Sequence, residues 1–281
     1  MNKILTVIVT SYNYENFIGD TLTSLENQSD TNFNILVIDD GSKDNSVNII
    51  KEHTKNHKNI TFLQHPGGAN KGLCATTQLA LSHVETEYVA FCESDDYWDT
   101  DHVKNLLKFI KNNPMANMIF NKIIVKNYSS NPEYDNYVNF SNQSLQKTNK
   151  TNIFHLLTVN YMPTFSSACI KTSELKRCNF NSFVPQYLDF WLWRQLCVNN
   201  DVYYVDDAVT FWRKHDASYD MKENVSDIKS FIIASNNLIF KQIKKRIPCI
   251  EKIKFKLKKF ILSPGKYIEY QVQKIQKTNK K

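Results

Sequence analysis

The stretch YVAFCESDD, residues 88–96, joins an apolar run to a dense acidic cluster. The apolar half, residues 88–92, predicts a short buried strand, which would deliver residues 93–96 to the point where the strand meets solvent. Carboxylates crowded at such a point repel one another, and a hard divalent cation is the usual way to relieve that repulsion. The alternative is an acidic turn before a helix that Asp99 or Thr100 caps.

Strand-like and helix-like segments alternate on both sides of this stretch, through the first 125 residues. This βαβ order predicts an α/β fold with a mostly parallel sheet, helices on both faces, and ligands at the carboxyl ends of the strands. Asp39 and Asp40 follow the second strand, so they and the cluster at 93–96 would share that edge. The predicted strands are 4–10, 33–39, 60–64, 87–92 and 117–125, and the predicted helices are 17–27, 45–55, 72–83 and 101–112.

The second half of the chain is less regular. Residues 126–150 are rich in Asn, Ser and Tyr, which indicates a surface excursion between two halves. Residues 186–197 are typical of a helix, and residues 202–212 predict a pair of strands broken at Asp206 and Asp207. We therefore expect both halves to belong to one domain.

The composition indicates a soluble or peripheral protein. With 281 residues and 42% hydrophobic content, the chain is long enough for one large α/β domain or two small ones. The six cysteines form no C-x-x-C pair and stand mostly in apolar segments, which predicts reduced thiols in the cytoplasm without zinc or a disulfide framework. No apolar stretch approaches the roughly 20 residues that span a bilayer, and the run at 4–9 is too short for a signal peptide.

Basic residues are concentrated in the C-terminal tail. The net charge is +7, and residues 241–281 contain 14 Lys or Arg against two Glu. Apolar residues recur there at helical spacing, as in Ile250, Ile253 and Leu257, which predicts an amphipathic helix. Such a helix would either bind an anionic membrane surface, at about 1 kcal/mol per lysine, or pack its apolar stripe on the domain. Nucleic acid is not expected as a partner, because no stacking platform accompanies the basic residues.

Two further motifs stand at predicted strand ends. Residues 10–13, Thr-Ser-Tyr-Asn, offer hydroxyls and an aromatic ring that either bind a planar base or form a plain turn before a helix. Residues 38–42, Ile-Asp-Asp-Gly-Ser, bring two carboxylates to a strand tip where Gly41 lets the backbone turn. Adjacent aspartates also occur in phosphoacceptor receiver domains, which share a parallel sheet.

Together these motifs resemble those of the family 2 glycosyltransferases. T-S-Y-N at 10–13, I-D-D-G-S at 38–42, N-K-G at 70–72 and E-S-D-D-Y-W at 93–98 occur in the order and at the spacings of that family. The resemblance covers residues 3 to about 220, whereas a receiver domain would be much shorter and would lack the acidic cluster. It implies a GT-A-type, Rossmann-like fold, a UDP-linked nucleotide-sugar donor, Mg²⁺ or Mn²⁺ as cofactor, and sugar transfer with inversion.

The resemblance implies a role for each carboxylate of the acidic cluster. Asp95 would ligate the metal that bridges the donor diphosphate, Glu93 would contact ribose or metal, and Asp96 would face the donor sugar or support the metal. The residues implied to bind the nucleotide are Thr10, Tyr12, Asp39, Asp40, Lys71 and Glu93.

In the second half, the resemblance supplies a general base and partners for the leaving group. The family has an acidic residue just before a helix with Leu, Trp and Arg, and Asp189 matches it as the candidate base. The alternative is that Asp189 has no catalytic role and only stabilises the helix through its interaction with the macrodipole. The segment from Trp212 to Ser218 resembles an aromatic-Arg-x-His-x-x-Ser motif, in which His215 would ligate the metal and Arg213 would neutralise the leaving group.

Three departures from the family pattern leave a second hypothesis open. Glu93 replaces the usual first Asp, Leu188 stands where a Glu often precedes the base, and residues 77–78 replace an Arg-Asn pair. Without that Arg, Lys71 or Arg213 would have to offset the diphosphate charge. A protein that binds nucleotide sugars without turnover is therefore the alternative to an enzyme.

The resemblance also implies a setting and a division of the chain. The acceptor would be a hydroxyl of a glycan or of a lipid-linked acceptor in bacterial surface polysaccharide synthesis, in the cytoplasm or at the inner face of the cell membrane. Residues 1–125 would form the nucleotide-sugar-binding half, and residues 126–222 the acceptor-binding and catalytic-base half. Residues 223–281 would form a basic helical tail.

Overall fold

The computed structural model describes residues 3–128, 160, 162–181, 185–215, 231 and 233–239. Most of the predicted excursion at 126–150 and all of the basic stretch 241–281 lie outside the described residues. The strands are β1 (Leu5–Ser11), β2 (Asn34–Asp39), β3 (Ile60–Gln64), β4 (Tyr88–Phe91), β5 (Tyr97–Trp98), β6 (Met118–Asn127), β7 (Ala168–Lys171) and β8 (Val202–Lys214). The helices are α1 (Ile18–Glu26), α2 (Ser46–Asn56), α3 (Leu73–Ser82), α4 (His102–Asn112), α5 (Thr172–Leu175) and α6 (Leu188–Leu196).

The described strands form one eight-stranded sheet in the order β3-β2-β1-β4-β7-β6-β8-β5. The strands β3, β2, β1 and β4 are mutually parallel, and β6 is parallel to β8. In contrast, β7 is antiparallel to β4 and β6, and β5 is antiparallel to β8. The predicted α/β class, with a mostly parallel sheet flanked by helices, is confirmed.

Successive side chains of the central strands pack on opposite faces of the sheet. Ile8 and Phe91 belong to the core beneath α3 and α6, whereas Val7, Val9 and Ala90 belong to the core beneath α1, α2 and α4. Burial of each large apolar side chain contributes about 1.5–3 kcal/mol to the free energy of folding. Because helices cover both faces, these strands are apolar along their whole length, which made them visible in the sequence.

The prediction of two strands broken at Asp206 and Asp207 is wrong. β8 is a single strand of 13 residues, and both of its ends pair in parallel with β6. The register shifts in the middle, where the partner of Asn121 is Val205 and the partner of Lys122 is Val209. The two exposed aspartates therefore lie in a bulge of one strand and do not form a turn between two.

Three cysteines of the described ranges are buried free thiols, Cys92, Cys169 and Cys197. Burial raises the pKa of each thiol well above its ordinary value, so they serve as small apolar core residues. Within the same ranges, no helix combines the length and the apolar character that crossing a bilayer requires.

Gly41 lies where the turn after β2 approaches the loop before α3. Its φ is +80°, a left-handed conformation that favours glycine. A Cβ at this position would lie 2.6 Å from the carbonyl oxygen of Gly68 and 2.8 Å from the backbone nitrogen of Asn70. Only glycine therefore allows the two loops to approach this closely.

We expect Gly41→Ala to lower the free energy of unfolding by about 2–4 kcal/mol, because backbone strain and overlap with the neighbouring loop add together. Urea denaturation with an unchanged m-value measures this loss. The matched control is Gly67→Ala, since Gly67 has φ +69° but no atom within 4 Å of an added Cβ. The control variant should lose only about 1 kcal/mol, and equal losses in the two variants would contradict the close approach.

Candidate active site

A cavity of about 630 Å³ opens at the carboxyl ends of β1, β2, β4 and β8. The end of β1 contributes Tyr12, the turn after β2 contributes Asp40, and the loop after β4 contributes Glu93 and Asp95. Asp189 and the last residues of β8 also line the cavity. The cavity thus joins the motifs of both halves of the sequence at the edge of the sheet where ligands bind in α/β folds.

The turn after β1 is fixed against the turn after β2. Asn13, with φ +57°, donates its backbone N–H to Ser42 Oγ at 2.9 Å and accepts from the backbone N–H of Lys43 at 2.8 Å. Thr10 and Tyr12 both line the cavity, and the Tyr12 side chain is 45% exposed. A rigid turn therefore presents an accessible aromatic ring to the cavity.

Asp39 and Asp40 have different surroundings. Asp39 is fully buried, and its carboxylate accepts from the backbone N–H groups of Gly41 and Ser42 at 3.0 and 2.9 Å and from the hydroxyl of Ser42. Asp40 lines the cavity and accepts from the backbone N–H groups of Lys71 and Gly72 at 2.7 and 2.9 Å. Asp39 therefore shapes its own turn, whereas Asp40 holds the next loop and faces the cavity. The nucleotide contacts expected of both residues stay predictions.

Lys71 is held in this loop through its backbone. Its N–H donates to Asp40, while its side chain is exposed. Lys71 is not among the described residues that line the cavity, and the expected contact between Lys71 and the nucleotide stays a prediction.

Glu93 and Asp96 tie the acidic cluster to a loop that is distant in sequence. Thr164 donates its hydroxyl to Glu93 Oε2 at 2.9 Å, and Ser166 donates its hydroxyl to Asp96 Oδ2 at 2.5 Å. The other oxygen of Asp96 accepts from the backbone N–H of Arg213 in β8 at 2.9 Å. Asp96 is fully buried, so its carboxylate connects three segments and does not line the cavity.

The crowding of these carboxylates changes their acidity. Burial, followed by the charges of Asp95 and Asp96, raises the pKa of Glu93 well above its ordinary value. Burial and the charge of Asp95 raise the pKa of Asp96 to about 8. Burial and Asp95 also raise the pKa of Tyr14, whose hydroxyl is hydrogen-bonded to Asp95. The loop thus disfavours negative charge on these carboxyl groups unless a cation accompanies it.

Asp95 and His215, the two expected metal ligands, lie side by side. Nε2 of His215 is 3.4 Å from Oδ2 of Asp95, and the imidazole stacks on Phe17 with ring centres 4.2 Å apart. Within the described ranges, no group of three or more His, Cys, Asp or Glu side chains is arranged to hold a metal ion. The described residues therefore bring these two side chains together without forming a complete metal cage.

Arg213 connects β8 to α1. Its guanidinium donates to Asp20 at 2.9 Å and to the carbonyl oxygen of Phe17 at 3.3 Å, and its Nε donates to the carbonyl oxygen of Asp95. The residue borders the cavity, but these internal contacts hold the guanidinium in place. Its expected role at the leaving group stays a prediction.

Asp189 is positioned by the burial of α6. The indole N–H of Trp191 donates to the carbonyl oxygen of Asn179 at 2.7 Å, and that of Trp193 donates to Met162 at 3.1 Å. These bonds orient the first turn of α6, which brings Asp189 to the cavity wall. The charge of Asp189 contributes to the raised pKa of Glu93, so the two carboxylates are near one another.

Sequence reasoning missed three residues of this site. Thr164 and Ser166 hold the acidic cluster, and only the hydroxyl-rich run at 164–167 signalled them. Lys214 lies on the cavity wall although its side chain is 1% exposed, with Nζ 3.6 Å from the centre of the Trp212 ring. Its position inside the resembling motif was the available signal.

The fold and this cavity define a GT-A-type α/β protein. The structure matches Staphylococcus aureus TarS residues 1–349 in complex with UDP-GlcNAc with a TM-score of 0.66 and 22% identity, over 85% of this chain and 66% of that one. It also matches the mannosyltransferase PcManGT from Pyrobaculum calidifontis, in complex with GDP-Man and Mn²⁺, with a TM-score of 0.59 and 12% identity, over 97% and 84% of the two chains. At such identities the likeness establishes the fold alone.

The sequence adds the family to the fold. The glycosyl transferase family 2 model matches residues 6–169, and this chain belongs to that family. A teichoic acid poly(glycerol phosphate) polymerase from Staphylococcus epidermidis is 40% identical over 97 residues, 34% of this chain and 13% of the relative. The putative teichuronic acid biosynthesis glycosyltransferase TuaG from Bacillus subtilis is 31% identical over 109 residues, 38% of this chain and 42% of the relative. The match thus spans less than half of each relative's length.

The two neighbouring aspartates of the acidic cluster should differ in their effect on stability. We expect Asp96→Ala to lower the free energy of unfolding by about 3 kcal/mol at pH 7, because it leaves the Arg213 N–H and the Ser166 hydroxyl buried without their acceptor. Asp95→Ala should cost about 1 kcal/mol or less, since relief of repulsion offsets the lost bond from Tyr14. Denaturant titration of both variants makes the comparison, and a larger loss for Asp95→Ala would contradict the assigned roles.

Proposed function

We propose that this protein is an inverting glycosyltransferase that moves a sugar from a UDP-linked donor to a hydroxyl of a glycan or lipid-linked acceptor. One observation carries the proposal: a single cavity joins Tyr12 and Asp40, the acidic loop with Asp95, and Asp189. A nucleotide site, a cation site and a base are the parts that this reaction requires. Membership of glycosyl transferase family 2 supports the same reaction.

The nucleotide would lie at the end of the cavity near β1 and β2. The exposed ring of Tyr12 offers a surface on which a base can stack, and Thr10 beside it offers a hydroxyl. A carboxylate has about four acceptor sites. Asp40, which accepts two backbone N–H groups, therefore retains capacity for a base N–H or a ribose hydroxyl. Asp39 would support this end by holding the turn.

The residues around Asp95 fit a divalent cation. Mg²⁺ and related ions are held through one or two side chains together with substrate phosphates, so the pair of Asp95 and His215 does not need a third protein ligand. Burial, followed by the charges of Asp95 and Asp96, raises the pKa of Glu93, and positive charge from such an ion would oppose that rise. Mg²⁺ or Mn²⁺ bound there would supply positive charge to the leaving diphosphate. Asp96 and Arg213 would act as positioning residues for this loop.

Asp189 is the proposed general base. It would remove the proton of the acceptor hydroxyl, and the oxygen would then form a bond to the anomeric carbon of the donor sugar. The bond from that carbon to the diphosphate would break on the opposite face, and the nucleoside diphosphate would leave with the electron pair. One displacement of this kind inverts the configuration at the anomeric carbon. Asp189 lies in the first turn of α6, where the helix macrodipole interacts favourably with a negative charge.

Cell-surface polysaccharide assembly is the proposed setting. Two similar relatives bear names that refer to teichoic acid and teichuronic acid. We further propose that residues 1–125 serve the donor, that residues 126–222 serve the acceptor, and that residues 223–281 bring the protein to an anionic membrane surface inside the cell. β6, most of which belongs to the first half, lies between β7 and β8 of the second, which supports two halves of one domain.

We expect Asp189→Asn to lower the rate of sugar transfer about 100- to 10,000-fold, because the amide cannot accept the proton. UDP release from the UDP-sugar that gives the largest thermal shift measures this rate. The affinity for UDP should change little, since the change keeps the shape of the side chain. Asp207→Asn, at an exposed position of β8, is the control and should keep full activity. Nucleotide binding without turnover in the unmodified protein would favour the binding-protein alternative.

Removal of divalent cations should abolish the stabilisation of this protein by UDP. In the presence of Mn²⁺, UDP at a hundred times its Kd should stabilise the folded state by about 2.7 kcal/mol, measured as a rise in Tm. EDTA should cancel that rise, and Asp95→Asn should reduce it at a fixed Mn²⁺ concentration. A rise in Tm that survives EDTA would overturn the proposed metal dependence.

A further inference from the structure

Two aromatic rings contact the buried imidazole of His215. The Phe17 ring stacks on it, with ring centres 4.2 Å apart and planes inclined by 21°, and the Tyr14 ring meets it at 6.0 Å and 82°. His215 lies one residue beyond the end of β8, so strand pairing does not set the direction of its side chain. The stacked ring restricts rotation of the imidazole most directly, because stacking is kept only while the two planes stay nearly parallel.

Phe17 is itself fixed at the start of α1. Its backbone N–H donates to the carbonyl oxygen of Tyr14 at 3.0 Å, and its own carbonyl oxygen accepts from the backbone N–H of Thr21 at 3.1 Å. Arg213 donates to the same carbonyl oxygen at 3.3 Å, and its guanidinium carbon lies 5.0 Å from the centre of the Phe17 ring. Two side chains from the end of β8, those of Arg213 and His215, thus meet one ring whose backbone is held in place.

The direction of the imidazole matters because one of its nitrogens faces a carboxylate. Nε2 of His215 is 3.4 Å from Oδ2 of Asp95, the other expected ligand of the cation. The lone pair of an imidazole nitrogen lies in the plane of the ring, so rotation of the ring would turn Nε2 away from the place that it shares with Asp95. Residues that orient a metal-ligating histidine in this way change the affinity for the ion without touching it.

We propose that Phe17 is a positioning residue for the cation site. Its ring holds the imidazole of His215 with Nε2 toward Asp95, so that the two expected ligands are in place before a divalent ion binds. This inference rests on the proposed function, and it gives a role to a residue that no motif had singled out. Groups that are ordered in advance lose less conformational freedom on binding, so the ring should act on the affinity for the ion.

The test measures the apparent affinity for Mn²⁺ at a fixed, saturating concentration of UDP, from the electron paramagnetic resonance signal of free Mn²⁺. We expect Phe17→Leu to lower this affinity about 3- to 10-fold, because leucine keeps an apolar contact but has no flat ring face. Phe17→Tyr keeps the flat face and should keep the affinity. Phe17→Met makes the same test if the Leu variant does not fold.

A double-mutant cycle with His215→Ala tests whether Phe17 acts through the imidazole. His215→Ala removes the group that Phe17 is proposed to orient. In that background, Phe17→Leu should therefore cause no further loss of affinity for Mn²⁺. A ring that only stabilised the start of α1 would have the same effect in both backgrounds.

Phe109→Leu is the matched control. Phe109 lies in α4 and is partly buried, as Phe17 is, and its ring centre is 6.3 Å from that of Tyr203. The control therefore makes the same substitution at a ring that also has an aromatic neighbour, but in another helix. It should leave the affinity for Mn²⁺ unchanged even where it lowers Tm.

The outcomes separate this inference from the proposed function. If the unmodified protein binds Mn²⁺ with UDP and Phe17→Leu binds the ion equally well or more tightly, the inference fails while the proposed function stands. An equal loss in the His215→Ala background, or the same loss in Phe109→Leu, would mean that the ring acts only through general stability, and either result overturns the inference. An unmodified protein that binds no Mn²⁺ in the presence of UDP would overturn both the inference and the proposed metal dependence.

Discussion

The buried carboxylate of Asp96 is the constraint on which the cavity depends. It accepts from the backbone of Arg213, 117 residues away, and from the hydroxyl of Ser166, 70 residues away. Those bonds fix β8 and the loop at 162–167 against the acidic cluster. The carbonyl oxygen of Met162, in the same loop, accepts a hydrogen bond from the indole N–H of Trp193. This bond orients α6 and therefore Asp189. This buried carboxylate thus fixes the acidic loop relative to Asp189, the proposed base, because leaving its oxygens or their donors unpaired would be costly.

The two acidic pairs of this protein share one division of roles. In each pair one aspartate is fully buried and satisfied by backbone and hydroxyl donors, and the neighbouring aspartate lines the cavity. Asp39 and Asp96 are the buried members, and Asp40 and Asp95 are the members on the cavity wall. Asp40 lies in the bend after β2 and Asp95 in the hydrogen-bonded turn after β4, so in each loop one side chain builds the turn while its neighbour faces the cavity. This arrangement lets a short loop be rigid and charged at once.

The sequence predicted the buried parallel strands well, and the physical reason is their burial on both faces. β2, which is buried along almost its whole length at Asn34–Asp39, was predicted at 33–39, because an apolar run between turn residues leaves few alternatives. β5 and β7 have only two and four residues, too few to show a period. In the candidate site, motif order and the family resemblance predicted the acidic loop and Asp189, which the structure brings to one cavity. They did not identify Thr164, Ser166 or Lys214, because those contacts depend on pairings between distant segments that no local pattern encodes.

The bulge in β8 also determines which side chains reach the cavity. Between the aligned pairs on either side of it, β8 advances four residues while β6 advances one. Four steps of a regular strand keep a side chain on the same face and one step changes the face, so the bulge shifts the phase of β8 relative to its neighbour. An insertion or deletion of one residue at 206–208 that shifted the register of β8 would move each following side chain to the other face of the strand. Lys214 would then point to the side of α1, and Arg213 would point away from it. The length of this surface bulge is therefore under stronger constraint than its exposed aspartates suggest, and insertions there would alter the chemistry of a site at the far end of the strand.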